Sequence, residues 1–143
     1  MSSPELGYLD ITLPFPPSVN SYYRSIRGRN IISKKGRQYR SAVIEQVKAE
    51  WGSSPPRLAG RLDVRVTAYP PDRRKRDLDN LFKSLLDAME HAELFVDDGQ
   101  IDHLQITRGH PSKPGEVFVC IQEIIPETLP KVQRRQKEED PKG

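Results

Sequence analysis

Residues 61–89 read RLDVRVTAYPPDRRKRDLDNLFKSLLDAM, and within this stretch the hydrophobic period changes once. Leu62, Val64, Val66 and Ala68 alternate with Arg61, Asp63, Arg65 and Thr67, a period of two that predicts a half-exposed strand. After Pro70 and Pro71, Leu78, Leu81, Phe82, Leu85, Leu86 and Met89 recur at i, i+3, i+4, i+7, i+8 and i+11. That is the stripe of an amphipathic helix, and it must pack on the sheet that the strand belongs to.

The flanking elements follow from the same periods. Upstream, Ser33 can cap a helix running to Trp51, with Tyr39, Ala42, Val43, Val47 and Trp51 on one stripe and Gly52 as its stop. Leu9, Ile11 and Leu13 alternate with Asp10 and Thr12 in a first strand that the proline run at residues 14–17 ends. Residues 14–32 then read as a long loop. Downstream, Leu94-Phe95-Val96 leads into Asp97-Asp98-Gly99, and strands are expected near His103–Arg108 and Val117–Ile124, joined as a hairpin by residues 109–115. The fold class predicted is α+β: two helices packed on a mixed sheet of about four strands, in one domain over residues 1–125. Residues 126–143 are charged and without apolar periodicity, and read as a flexible tail.

Composition narrows the function classes. A chain of 143 residues fits one domain. One cysteine, Cys120, and three scattered histidines exclude a disulfide scaffold and a zinc cage of the usual spacing. His91, His103 and His110 are expected as surface or hairpin residues. No apolar run reaches the roughly 18 residues of a membrane span, and the opening residues lack the pattern of a signal peptide, so no membrane partner and a cytoplasmic location are expected. The net charge of +3 conceals a division: residues 20–76 hold 15 basic and 4 acidic side chains, whereas residues 77–102 hold 8 acidic side chains and one base, Lys83. A polyanion-binding surface beside an acidic pocket is one reading; two faces that neutralise each other is the other.

The acids carry the chemistry. In a regular helix residues two apart point roughly 200° from each other, so Asp77 and Asp79 converge only if Asp77 is still extended, as an N-cap. Aspartates at a helix start are also ordinary caps, favoured by the macrodipole, and an Asp-Gly pair is commonly a turn. Several carboxylates in a basic protein suit a hard cation, which prefers carboxylate oxygen, accepts phosphate oxygens, and can activate water and polarise phosphorus. Phosphodiester hydrolysis is the natural reaction. Lys83 lies four residues beyond Asp79, placed either to stabilise charge on a phosphate or to form an i, i+4 ion pair. Arg73, Arg74, Lys75 and Arg76 exceed what two aspartates need and suit phosphate contacts. Tyr22, Tyr23, Arg24, Arg27 and Arg29, with Lys34, Lys35, Arg37 and Arg40, mix rings with cations in the manner of a surface that tracks nucleic acid.

The run RDLDNLFKSLLDA, preceded by PDRRKR and followed by LFVDDGQI, resembles the RusA family of Holliday junction resolvases. ITLPFPPSVNSYYR and SKKGRQYR extend the similarity over residues 8–124. The resemblance implies a small homodimeric endodeoxyribonuclease that resolves four-way DNA junctions by symmetric nicks in recombination and repair. It further implies Mg²⁺, with Mn²⁺ as a substitute, held by Asp77, Asp79 and Asp98, and an essential lysine at Lys83. Asp98 is taken over its neighbour Asp97 on the family pattern. A two-fold dimer would set one active site against each equivalent strand of a junction. The alternative from another class is a non-catalytic DNA-binding protein with the same basic residues, its acids serving only as helix caps.

Overall fold

β1 (Tyr8–Pro14) buries Leu9, Ile11 and Leu13 and turns the intervening residues outward. The computed structural model describes residues 5–134, so half of the expected tail, from residue 135 on, lies outside the described residues, and the described half opens with a 3₁₀ turn (Pro126–Thr128). Where a loop was expected over 14–32, the chain forms a single helical turn, α1 (Val19–Tyr22), and a two-stranded antiparallel sheet of β2 (Tyr23–Ile26) and β3 (Arg29–Ile32). The turn of that hairpin places Arg27 and Gly28 at φ of 50° and 76°, the left-handed pair that a tight hairpin requires. Its strands are short and largely exposed, so they carry no apolar alternation for pattern reading to find.

α2 (Lys34–Trp51) begins at Ser33, whose Oγ accepts from the Gly36 N–H at 2.9 Å, and ends at Gly52. Gly36 meets α1 closely: a Cβ there would lie 2.4 Å from the Tyr22 carbonyl oxygen. β4 (Arg61–Tyr69) follows with the expected alternation, then α3 (Asp79–His91). α3 buries Leu81, Leu85, Ala88 and Met89 and half-buries Leu78, Phe82 and Leu86. Its one buried polar side chain, Ser84, donates to the Pro17 carbonyl at 2.6 Å, so the proline segment is pinned to the helix.

The last two strands are β5 (Ile101–Arg108) and β6 (Glu116–Ile124), and the main sheet runs β1-β6-β4-β5. β6 is antiparallel to both neighbours, whereas β4 and β5 are parallel. The sheet is therefore mixed with four strands, as expected, but β5 and β6 are not a hairpin: β4 lies between them. β6 carries the buried Val117, Val119 and Ile121 and belongs in the sheet interior; β5 is mostly exposed and suits an edge. Residues 109–115 consequently cross the end of β4, laced to it by Gly109 N–H to the Ala68 carbonyl and Ser112 N–H to the Pro70 carbonyl, each at 2.8 Å. His103 pairs with Asp63 at 2.8 Å and His91 lies 3.8 Å from Asp87, surface positions as the sequence predicts.

Candidate active site

The exit from β4 is fixed before the acids begin. The Asp72 carboxylate accepts from Arg76 Nη1 at 2.7 Å and from the Arg74 N–H at 2.9 Å. The Arg76 guanidinium, aided by that backbone donor, pulls the Asp72 carboxyl down to about 2. Because this value is depressed, the tie contributes above the ordinary carboxylate range and is lost as pH falls from there toward about 2. Carboxyl NMR should show the Asp72 midpoint near 2, rising toward the ordinary range in Arg76→Ala; an ordinary midpoint in the parent protein would contradict the clamp.

α3 starts later than the Asp77 cap predicts. Its N-cap position is Leu78, already at helical angles, and no side chain caps it. Asn80 N–H donates to the Asp77 carbonyl and Leu81 N–H to the Leu78 carbonyl, both at 3.2 Å, a tight first turn that uses backbone acceptors in place of a carboxylate. Asp77 and Asp79 accordingly diverge. Asp77 faces a cavity of about 550 Å³ with Asn80, Ser21, Lys35 and the Arg74–Arg76 run, whereas Asp79 faces one of about 380 Å³ with Lys83, Asp87, Glu90, Asp98 and Tyr23.

Asp98 reaches that second cavity from a 3₁₀ turn (Asp98–Gln100). Asp97 is its cap, accepting from the Gly99 N–H at 3.2 Å, while Gln100 accepts from the Asp97 N–H at 2.7 Å and donates to the Leu58 and Gly60 carbonyls at 2.9 and 2.8 Å. Glu90 of α3 accepts the Asp98 N–H at 3.0 Å, tying the turn to the helix. Asp97 is thus engaged in holding the turn. The carboxylates of Asp77, Asp79 and Asp98 accept no hydrogen bond from any described residue. Among the described residues, the acids that gather as three or more within 4.8 Å of one another are Glu90, Asp97 and Asp98; Asp77 and Asp79 stand outside that group.

Lys83 forms no ion pair among the described residues. Its Nζ lies 5.2 Å from the centroid of the Tyr23 ring, a cation–π contact. Tyr23 is held by its neighbour: the Tyr22 hydroxyl donates to Asp87, which also takes Arg40 Nη2 at 2.7 Å, joining α1, α2 and α3. Burial, and then the Asp87 carboxylate, raises the Tyr22 hydroxyl above its ordinary range. Asp87→Ala would strand the wholly buried Tyr22 hydroxyl and the Arg40 guanidinium, and urea unfolding should show a loss of about 1–3 kcal/mol. An unchanged midpoint would show the network to be dispensable.

The cations surround these cavities unevenly. Lys35 joins Arg74, Lys75 and Arg76 on the Asp77 side. Arg24, Arg27 and Arg29 project from the β2–β3 hairpin, exposed, and Lys34 and Arg37 lie on the exposed start of α2; Arg73 is exposed in the β4–α3 connection. Glu90 and Asp87 are site-lining residues that motif reading missed, although Asp79, Lys83, Asp87 and Glu90 form a polar stripe at steps of four, four and three along α3.

Carboxylates clustered beside a lysine, edged by a cationic surface, define a site able to hold a hard divalent cation against a polyanion. The family model described as Endodeoxyribonuclease RusA matches residues 14–122, and the chain belongs to that family of endodeoxyribonucleases. It is 40% identical over 114 residues to the crossover junction endodeoxyribonuclease rusA of Enterobacteria phage 82, covering 80% of this chain and 93% of the relative. The RusA protein of Escherichia coli strain K12 is 38% identical over 117 residues with the same coverage. That of Enterobacteria phage HK97 is 39% identical over 115 residues, covering 78% and 92%. The resemblance legible in the sequence is borne out. No helix of the described residues is long and apolar enough to cross a membrane.

Proposed function

We propose that this chain resolves four-way DNA junctions in recombination and repair, hydrolysing phosphodiesters by symmetric nicks in a Mg²⁺-dependent reaction. It works as a homodimer in the cytoplasm of a bacterial or phage-infected cell. The observation that carries the reading is that Asp79, Lys83 and Asp98, from α3 and the following 3₁₀ turn, line one cavity, with Tyr23 packed on the lysine. The names of the relatives, crossover junction endodeoxyribonucleases, support the choice of substrate.

A hard cation fits these donors, which are carboxylate oxygens with no competing hydrogen bond from a described residue at Asp77, Asp79 or Asp98. Asp79 and Asp98 would hold it, with Glu90 beside them and the exposed Asp77 turning in from the adjoining cavity. When bound, Mg²⁺ supplies positive charge at the scissile phosphate and polarises phosphorus toward attack by water. Lys83, already desolvated on one side by the Tyr23 ring, donates to the phosphate oxygen on which negative charge grows. Arg74, Lys75 and Arg76 with Lys35 seat the flanking phosphates, and Tyr23, Arg24, Arg27, Arg29, Lys34, Arg37 and Arg73 extend the DNA contact over the hairpin and the loop. The non-catalytic alternative requires the acids to act as caps, and Asp77 and Asp79 make no cap bond.

The test is a mobile four-way junction against a linear duplex of the same sequence, each incubated with the protein in Mg²⁺ and in EDTA. Paired nicks should appear on the junction in Mg²⁺ alone. Binding without nicks under all conditions would return the non-catalytic reading, and sedimentation giving a monomer on the junction would remove the dimer.

A further inference from the structure

A cavity of about 330 Å³ opens between the β4–α3 connection and the β5–β6 connection, and the chemistry above leaves it unused. Phe15, Ala68, Leu78 and Leu81 give it an apolar lining, while Arg76 and Arg108 stand on opposite connections. The walls are tied together. Arg108 Nη2 donates to the Arg76 carbonyl at 2.6 Å, and the Arg76 guanidinium lies 5.6 Å from the centroid of the Phe15 ring. Asp72, the one acid on the lining, is already neutralised by Arg76.

A phosphate track needs cations in water and gains nothing from an apolar floor. A nucleobase in a single strand presents both requirements at once: flat apolar faces to bury, and a phosphate on either side for the cations. Phe15 and Arg76 also line the cavity that Asp77 faces, so a base entering here lies beside the Asp77 cavity, which in turn adjoins the one holding Asp79 and Asp98. We propose that this cavity receives one unpaired nucleobase of the DNA substrate, stacked on Phe15 and Leu78 with its flanking phosphates on the exposed Lys75 and Arg108. The inference rests on the junction-nuclease reading and deepens it. Extruding a base costs least where stacking is already broken, so a base pocket beside the acids favours the crossover of a junction over continuous duplex.

The experiment uses the full chain and junctions carrying, at each position around the crossover in turn, either an abasic residue or 2-aminopurine. Single-turnover nicking in Mg²⁺ should fall about fivefold to 10²-fold at one abasic position and not at its neighbours, the range expected for loss of one base–aromatic stack. 2-Aminopurine at that same position should brighten on binding in EDTA, and Phe15→Leu, which keeps apolar volume but removes the ring, should weaken both signals. Abasic junctions all nicked at the parental rate, or no brightening at any position, would overturn the pocket whether or not Phe15→Leu folds. Brightening at one position by a protein that nicks no junction would instead retain the base pocket and overturn the nuclease reading.

Discussion

Asp79→Asn and Asp98→Asn should each abolish nicking of a four-way junction while leaving its binding intact or tighter. Both side chains line the cavity that holds Lys83, and neither is committed to a hydrogen bond with a described residue. Their removal therefore costs the fold little. Replacing carboxylate by amide keeps the shape, discards a donor to a hard cation, and takes a negative charge from a surface that must approach phosphates. Asp77→Asn is expected to behave alike if Asp77 turns in with substrate. Lys83→Ala should lower the single-turnover rate by about 10²–10³, the usual cost of removing one group that stabilises transition-state charge. These effects will not add, because the residues act as one unit. Asp97→Asn is the informative contrast, since Asp97 caps the turn through Gly99 and should chiefly affect stability. A parental nicking rate in Asp98→Asn would move the chemistry elsewhere.

Junction affinity should collapse with salt, by about 10³–10⁵ between roughly 50 and 200 mM if six to ten phosphates are contacted. The exposed cations of the β2–β3 hairpin, of the α2 start and of the β4–α3 connection can supply that many contacts. Each released counterion contributes to the slope, so Arg74→Ala should reduce it by about one unit without altering which strand is cut. Arg40→Ala should leave the slope nearly unchanged, because that guanidinium is spent on Asp87. Fluorescence anisotropy in EDTA across a salt series measures both. A flat profile would mean that the cationic surface does not carry the binding.

What could be read in advance was whatever repeats. β1, α2, β4 and α3 were legible because each alternates or cycles around a buried stripe, and Ser33 and Gly52 bounded α2 correctly. The β2–β3 hairpin was missed because its strands are short and solvent-facing, and the place of β5 was missed because pairing partners are chosen by burial, not by adjacency along the chain. At the site, Asp79, Lys83 and Asp98 came together on one cavity, whereas Asp77 lay next door, since the backbone of residues 77–81 closes its own first turn and needs no carboxylate cap. Glu90 was overlooked for a related reason: its partner is a backbone N–H eight residues on, and only the folded turn brings them within reach.

The most direct test of the account is a Mg²⁺ titration of the full chain on uncleaved junction analogue, followed by carboxyl NMR. Asp79 and Asp98 should shift together along one binding curve, with Asp77 joining them, and Asp98→Asn should erase the curve for Asp77 and Asp79. Shifts confined to Glu90 and Asp97, or none below the concentration that supports nicking, would contradict a shared cation site.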